Sequence, residues 1–474
     1  MVYCRKNQPR EDFIMAEIID GVHQATDPNQ YIVPKEPAVR EHLEWFKDQK
    51  LGFMLHWAPG SQFGVTESWT LADYAPWDEP TSAPWQTEEI NWIDDLDAYR
   101  KSLRETNRTF NPVKFDPVKW AKLAKECGFK YLLATTKHHD GFCMYDSQYT
   151  DYKITSPDCP FHTHKNADII RALYDAFRAE GMGISTYFSK PDWACPDFWV
   201  PEYPNDGSIN ANYDPLEEPE RWERFVEFSH NQMTELTSNY GKIDVLWLDG
   251  GWACDYHNHQ HMHLERLIPK IRATTQPHLI VADRTIGGEY ENIRTPEQTV
   301  PAEASDIPWE SCITLNHCWS YQYDQDTVAK SPREVIHLFV GIVAKGGNLA
   351  LNVSPQPDGE LSSVTLSVLN EFGAWLKKNG EGIYGTRPVA PWSHRNICYT
   401  RKDGNIYAFI LYQRDYHAPR SVELQVSGEV KDVILLRTGE SLPFTRTGDR
   451  ILVRTADMPL YDMKYADCLK VVLG

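Results

Sequence analysis

The sequence predicts an α/β protein in which a TIM-like (β/α) barrel is followed by an antiparallel β-sandwich. Before about residue 385, short apolar runs alternate with amphipathic stretches of helical period, which is typical of parallel strands joined by helices. After that point only short alternating runs remain, separated by turn residues. We therefore divide the chain into an N-terminal lead-in at 1–40, a barrel at 41–384 and a C-terminal β-sandwich at 385–474.

The elements of the barrel follow one another in strand–helix order. A short helix at 42–50 precedes the first strand. Strands are predicted at 51–57, 130–136, 183–188, 242–249, 279–284 and 348–353. Helices are predicted at 116–128, 168–180, 219–240, 261–273, 331–346 and 363–379. About six strand–helix units favour a closed barrel, and no GxGxxG follows a strand, which weakens a dinucleotide-binding alternative.

Local signals set several of these boundaries. Asp116-Pro117 is a helix start with Asp as the N-cap and Pro at the first position. Ser331-Pro332-Arg333-Glu334 is a capping box. Two long irregular stretches, 58–112 and 285–330, interrupt the alternation, and long loops in compact domains are usually functional. The strands of the sandwich are predicted at 406–412, 422–426, 433–436, 451–453 and 469–473.

The composition limits the partners. The 474 residues carry a net charge of −19, which argues against nucleic acid or an anionic membrane as the main partner. The chain is rich in aromatic residues, with 16 Trp, 24 Tyr and 18 Phe. Such a content fits a carbohydrate-active protein, because sugar faces stack on rings, and equally fits a well-filled core.

The cysteines and the N-terminus bear on location. The ten cysteines form no CxxC pair and no dense framework, as expected for individual thiols of a reduced protein. The first residues show no apolar signal-peptide core, and no apolar run approaches the length that spans a membrane. We therefore expect a cytoplasmic protein.

Polar side chains stand at the ends of successive predicted strands. Asp249 ends an apolar run, and Gly250-Gly251 directly after it ends the strand. A buried charge is costly unless it is paired or takes part in function. His56, the His138-His139 pair, Tyr187 and Arg284 end other strands. In a parallel barrel these ends meet at one rim, where active sites lie. Each residue alone has a plainer reading, such as a turn Asp or a core His.

Several blocks of the chain, taken together, resemble the α-L-fucosidases of glycoside hydrolase family 29. They are Leu51–Trp57, Lys137–Phe142, Trp247–Gly250, Asp283-Arg284, Thr295–Glu297 and Trp309-Glu310. The resemblance covers about residues 40–390, and the order of the blocks also fits. It implies a (β/α) barrel with a C-terminal β-sandwich, retaining chemistry, and no metal or other cofactor.

The resemblance also implies roles for single residues. Asp249 would be the nucleophile. The residues expected to contact the sugar or to lie beside the nucleophile are His56, His138, His139, Trp247, Tyr187, Arg284 and Trp69. Glu67 and Trp69 resemble an acidic–aromatic pair of the family, although Ser68 separates them here.

The acid/base is the least determined residue. A retaining glycosidase needs a second carboxyl group about 5–5.5 Å from the nucleophile. Glu297, in the Thr-Pro-Glu block, is the first choice, and Glu291, Glu310 and Glu67 remain open.

The functional prediction is a retaining exo-α-L-fucosidase that acts on fucosylated glycans. One alternative is a metal-dependent or related-sugar hydrolase, since alternate histidines at His257, His259, His261 and His263 can bind a metal. Another is a fucose-binding protein without catalysis. The sequence leaves the oligomeric state open, a homo-oligomer included.

Overall fold

A curled parallel sheet forms the centre of the computed structural model, which describes residues 28–64, 69–72, 95–204, 209–255, 259–415, 419–456, 458–459 and 463–474. Its seven strands are β1 Leu51–Leu55, β2 Tyr131–Lys137, β3 Gly183–Ser189, β4 Val245–Asp249, β5 Ile280–Asp283, β6 Glu310–Thr314 and β7 Asn348–Val353. They pair in parallel in the order β5-β4-β3-β2-β1-β7-β6. This confirms the predicted class, a TIM-like barrel sheet followed by antiparallel sheets.

Single β-bridges span the opening between β5 and β6. Ala282 of β5 pairs with Glu291, while Arg294 and Glu297 pair with Trp309 and Cys312 on the other side. The segment 291–297 therefore lies between the two edge strands of the sheet. It carries Glu297 to the wall of the barrel.

Helices cover the outside of this sheet. The described helices are α1 Pro37–Gln49, α2 Leu96–Arg104, α3 Pro117–Glu126, α4 Ile169–Ala179, α5 Pro219–Asn239, α6 Leu264–Thr274, α7 Pro332–Ala344 and α8 Ser363–Asn379. The expected caps are present, because Asp116 accepts from the backbone N–H groups of Val118 and Lys119, and Ser331 and Glu334 form the capping box. Apolar faces of the helices from α2 to α8 pack on strand residues in one continuous core.

Helix α1 closes the N-terminal end of the barrel. Val39, Leu43 and Phe46 pack with Tyr131 and Trp247, which point into the interior. The loops that follow the strands lie at the opposite, C-terminal end of the barrel. Of the part of the chain that the structure describes, no helix is both long and apolar enough to cross a membrane.

Antiparallel strands begin after the last barrel helix. One six-stranded sheet has the order β13-β12-β16-β10-β9-β8, and a three-stranded sheet has the order β11-β15-β14. The strands are β8 Arg387–His394, β9 Ile397–Lys402, β10 Asn405–Leu411, β11 Ser421–Gln425, β12 Val430–Leu435, β13 Glu440–Ser441, β14 Phe444–Thr447, β15 Arg450–Arg454 and β16 Ala466–Leu473. The two sheets share a core of their own. The domain bounds at residues 41 and 385 stay predictions.

Two parts of the expectation were incomplete. β6 lies inside the stretch 285–330 that was expected to be irregular, and β8, β9, β13 and β14 had no predicted counterpart. The polar run Glu310–Thr314 becomes a strand because it pairs with β7 along its whole length. Residues 1–27 of the lead-in, and 65–68 and 73–94 of the stretch 58–112, lie outside the described residues.

Candidate active site

The polar residues at the strand ends meet at the C-terminal rim of the barrel. His56 follows β1, His138 and His139 follow β2, and Asp249 ends β4. The ring centroid of His56 lies 5.9 Å from that of His138 and 5.2 Å from that of Tyr187, which belongs to β3. In a parallel barrel all carboxyl ends face the same side, so residues far apart in sequence share one pocket.

Both carboxylate oxygens of Asp249 accept hydrogen bonds. Tyr187 donates its hydroxyl to Oδ2 at 2.5 Å, and Arg284 donates to Oδ1 through Nη1. Nε2 of His139 lies 3.6 Å from Oδ2. Burial alone would raise the pKa of the Asp249 carboxyl, but the Arg284 charge and the hydrogen bond from Tyr187 hold that pKa well below its ordinary value. Asp249 is therefore an ionised carboxylate with a fixed orientation.

Arg284 joins two carboxylates. Its Nη1 donates to Asp249, and its Nη2 donates to Oε2 of Glu297 at 2.7 Å. Its guanidinium lies 4.3 Å from the centroid of the Trp247 ring, and Nε donates to Thr295 at 3.3 Å. One planar guanidinium with five donors can serve both acids at once. The two carboxyl groups are consequently neighbours, as a retaining pair must be.

His56 has a defined tautomer. Its Nδ1 lies 2.8 Å from Oδ1 of Asn352, and Nδ2 of Asn352 donates to the backbone carbonyl of Trp319 at 2.7 Å. Because the amide N–H group is used by Trp319, the amide oxygen faces His56 and can only accept. Nδ1 of His56 therefore carries the proton, and Nε2 keeps its lone pair. Burial lowers the pKa of His56 to about 4, so the ring is neutral near pH 7.

The two histidines after β2 are buried as well. Burial lowers the pKa of His139 to about 4 and that of His138 well below its ordinary value, and the other histidines of the site add to the effect at His138. The His138 ring stacks on Tyr187 with centroids 5.8 Å apart. Among the described residues, neither ring nitrogen of His139 has a hydrogen-bond partner. A substrate hydroxyl would supply one.

Aromatic rings form one wall of the pocket. Trp69, Trp193 and Trp252 lie around His139, with ring centroids 5.5, 5.4 and 4.9 Å from its own. On the other side, Trp319 lies 5.0 Å from His56. Such a wall can pack against the apolar face and methyl group of a deoxy sugar.

The four candidate acids lie in different places. Glu297 is bound to Arg284 beside Asp249. Glu310 starts β6 and lies inside the barrel, where it accepts from the hydroxyl of Tyr131 and from Nε1 of Trp247 at 3.2 Å. Oε2 of Glu291 accepts from the backbone N–H of Gly287 at 2.7 Å. Glu67 lies outside the described residues.

Three residues of this site are of types that can bind a metal ion. Ligand atoms of His138, His139 and Asp249 lie within 4.8 Å of one another. However, both oxygens of Asp249 already accept hydrogen bonds, one of them from a guanidinium. A metal ion would meet the Arg284 charge directly, so the arrangement does not favour a metal at these three residues.

The sequence analysis did not identify the residues that pack against the predicted site residues. Asn352, Trp319, Trp252 and Trp193 were not singled out, although each contacts a predicted site residue. Asn352 carried a usable signal. It is an amide near the C-terminal end of β7, after the apolar run Leu349–Leu351, and polar residues at strand ends are the pattern that identified the other site residues.

The chain is similar to proteins of known class. A family model described as α-L-fucosidase matches residues 20–381. The tissue α-L-fucosidase of Bos taurus is 28% identical over 406 residues, which cover 82% of this chain and 80% of the relative. The structure of α-L-fucosidase isoenzyme 1 from Paenibacillus thiaminolyticus is 30% identical with a TM-score of 0.75, covering 92% of this chain and 100% of that one. The α-fucosidase of Thermotoga maritima in complex with fucose is 25% identical with a TM-score of 0.71, covering 92% and 98%.

Proposed function

We propose specific roles for the residues of the pocket, on the premise that the chain belongs to the α-L-fucosidases of glycoside hydrolase family 29. The class of reaction follows from that membership: the protein is a glycoside hydrolase that releases α-L-fucose with retention of configuration. The individual residues and the way in which they hold the sugar are our proposal.

Asp249 is the nucleophile in this proposal. In the first step its carboxylate oxygen bonds to C1 of the fucose while the bond from C1 to the glycosidic oxygen breaks. Glu297 gives its proton to that oxygen, and the aglycone leaves as an alcohol. The product is a fucosyl ester on Asp249 with inverted configuration.

Glu297 acts again in the second step. As a carboxylate it takes a proton from water, and the water oxygen attacks C1. The bond from C1 to Asp249 breaks, and fucose leaves with its original configuration. The ion pair with Arg284 favours the ionised form of Glu297 that this step needs. Protonation for the first step requires Glu297 to turn from the guanidinium toward the glycosidic oxygen.

The histidines hold the hydroxyl groups of the sugar. With its proton fixed on Nδ1 by Asn352, His56 offers the lone pair of Nε2 to a hydroxyl donor. Nε2 of His139 lies 3.6 Å from Asp249, beyond hydrogen-bond distance, so a sugar hydroxyl can bind between the two side chains. Trp69 and Trp247 would line the space between them. A fucosylated glycan is the expected substrate class.

The observation that carries the proposal is the guanidinium of Arg284, which bonds Asp249 and Glu297 together at the strand ends. The experiment is hydrolysis of an aryl α-L-fucoside followed by NMR at early times. We expect α-L-fucose to be the first anomer formed, and Asp249→Ala to abolish its release. First formation of the β anomer would contradict the retaining pair, and normal release by the variant would contradict the assignment of Asp249.

The cytoplasmic location is also a proposal. It is supported by nine cysteines, from Cys127 to Cys468, that are buried as free thiols in the described part of the chain. Thiols of this kind persist in a reducing compartment. Fractionation of the source cells, with activity measured in each fraction, would test the location.

A further inference from the structure

The connection between β4 and α6 holds a second cluster of ligand atoms. Nδ1 of His261 lies 3.0 Å from Nδ1 of His263, and Nδ1 of His263 lies 2.8 Å from Oε1 of Glu265. The ligand atoms of the three residues all lie within 4.8 Å of one another. A neutral His263 has at most one proton on Nδ1, so one hydrogen must serve two acceptors. A cation would satisfy all three atoms at once.

The distances suit one small divalent ion. Zinc binds histidine nitrogen at about 2.0–2.1 Å and carboxylate oxygen at about 2.0–2.2 Å, so the ligand atoms of a tetrahedral ion lie about 3.3 Å apart. The separations of 2.8 and 3.0 Å fall short of this by a few tenths of an ångström. Side-chain rotation can supply the difference. The 3.2 Å contact between the backbone N–H of His263 and Nδ1 of His261 would be exchanged for the metal bond.

We propose that His261, His263 and Glu265 bind one Zn²⁺ ion. Two imidazoles and a carboxylate are ligands that zinc takes, and water would fill the fourth position. A cavity of about 420 Å³ borders His261 and His263 and gives the water and the ion access. The site is separate from the carboxylates that perform the reaction.

The charges around the cluster favour a cation. The first turn of α6, which begins at Leu264, opposes positive charge through its free N–H groups. Glu265 stands in that turn, and Glu223 and Asp255 line the cavity. Arg266 pairs with Glu223 at 2.7 Å and lies 4.0 Å from Glu265, so its charge offsets one of the three carboxylates. The negative charge that remains still outweighs the partial charge of the helix end.

The rest of the histidine tract is not part of this cluster. His259 is half exposed, and its Nδ1 lies 3.2 Å from Oδ1 of Asp214. His257 lies outside the described residues. His259 lines the same cavity without sharing the ligand cluster, so it offers a matched control.

The ion would fix a segment that also reaches the active site. The connection starts directly after Asp249, and its Trp252 ring lies 4.9 Å from the ring of His139. Its other end is tied to α5, because Trp222 donates to the carbonyl of His261 at 2.9 Å and His230 lies 2.8 Å from the carbonyl of Met262. Zinc would therefore tighten a loop that carries one wall of the pocket, without taking part in the chemistry.

The test is zinc binding by the full chain without a histidine tag. The protein is stripped with a chelator, dialysed, and titrated with ZnCl₂ against a chromophoric competitor. We expect one Zn²⁺ per chain. His261→Ala, His263→Ala and Glu265→Gln should each weaken zinc binding by about 100-fold or more. Loss of a residue that only hydrogen-bonds to a metal ligand lowers affinity by about 10–100-fold, and loss of a ligand itself should cost at least as much. His259→Gln should bind like the parent protein.

A local measurement completes the test. Hydrogen–deuterium exchange of peptides covering 250–265 should slow when zinc is added to the parent protein and stay unchanged in His263→Ala. Circular dichroism checks that each variant is folded, and Glu265→Gln keeps the shape of the side chain should an alanine variant unfold. Equal zinc binding by all four variants, or no binding by the parent above that of Glu265→Gln, would overturn the proposal.

Discussion

Asn352 offers the most direct control over the chemistry of the pocket. Its amide oxygen accepts from Nδ1 of His56 at 2.8 Å, and its amide N–H is used by the carbonyl of Trp319. Asn352→Asp keeps the shape of the side chain and the acceptor that faces His56. It replaces the N–H group that faces Trp319 by an oxygen and adds a negative charge beside a buried ring. We predict that this single change makes activity depend on the protonation of His56 in the neutral pH range.

The magnitude follows from the geometry. Two unit charges about 4 Å apart interact by about 4 kcal/mol at an effective dielectric constant of about 20. Since about 1.4 kcal/mol corresponds to one pH unit, the new carboxylate should move protonation of His56 up by about three pH units. Burial now lowers the pKa of His56 to about 4. Above its pKa the ring has a lone pair on Nε2, and below it both nitrogens donate. Activity should therefore fall with decreasing pH near 7 in the variant and near 4 in the parent.

The assay is kcat/KM for an aryl α-L-fucoside between pH 3.5 and 9, because this constant reports groups of the free enzyme. Asn352→Leu is the matched control. It removes the hydrogen bonds to His56 and to Trp319 without adding charge. It should therefore lower kcat/KM by about tenfold or more at every pH, because each hydrogen bond contributes about 1–1.5 kcal/mol. Circular dichroism at each pH excludes unfolding. An acid limb in Asn352→Asp that coincides with that of the parent would refute the assignment of the neutral His56 tautomer as an acceptor.

Three further predictions separate the carboxylates. Asp249→Ala should lower kcat by about 10⁴-fold or more, as loss of a nucleophile does, and azide should give β-fucosyl azide by direct inversion; a near-normal kcat would exclude this role. Glu297→Ala should slow cleavage of oligosaccharides far more than formation of the fucosyl-enzyme from an activated aryl fucoside, and azide should give the α product; equal losses on both substrates would count against an acid/base role. Glu310→Gln should keep kcat. Because burial raises the folded-state pKa of Glu310 to about 7 from 4.5, the parent should lose stability as pH rises from about 4.5 to 7, and the variant should lack that decline in urea unfolding.

The barrel could be predicted because its strands are apolar and its helices are capped. Six of the seven parallel strands contain short runs of buried apolar residues. Their length and their alternation with stretches of helical period identify them as strands. β6 escaped notice because its sequence, Glu310–Thr314, is polar and short. Its first residue is buried only because Tyr131 and Trp247 donate to the carboxylate from other strands. Such partners are set by the tertiary fold and leave no local signal.

The choice of the acid/base residue also depends on partners that the tertiary fold sets. The sequence favoured Glu297 through its Thr-Pro-Glu block and left Glu291, Glu310 and Glu67 open, since each of the four lies in or near an irregular stretch. The structure distinguishes three of them by their partners, which are Arg284 for Glu297, the backbone of Gly287 for Glu291, and barrel side chains for Glu310. The strand-end rule predicted that Asp249 and the histidines share one pocket because that rule depends only on chain order. It would also have reached Asn352 had it been applied to the last parallel strand.

The neutral charge of the three histidines suits the pocket to the positively charged transition state of fucoside hydrolysis. The bond to C1 breaks through an oxocarbenium-like state that carries positive charge. In the proposed first step Glu297 is protonated, so the charges of Asp249 and Arg284 cancel. Three protonated histidines would then leave the pocket strongly positive and would oppose the reaction. Burial prevents this by lowering the pKa of His56 and His139 to about 4, and that of His138 as well. The rings can thus hold hydroxyl groups without repelling the forming cation.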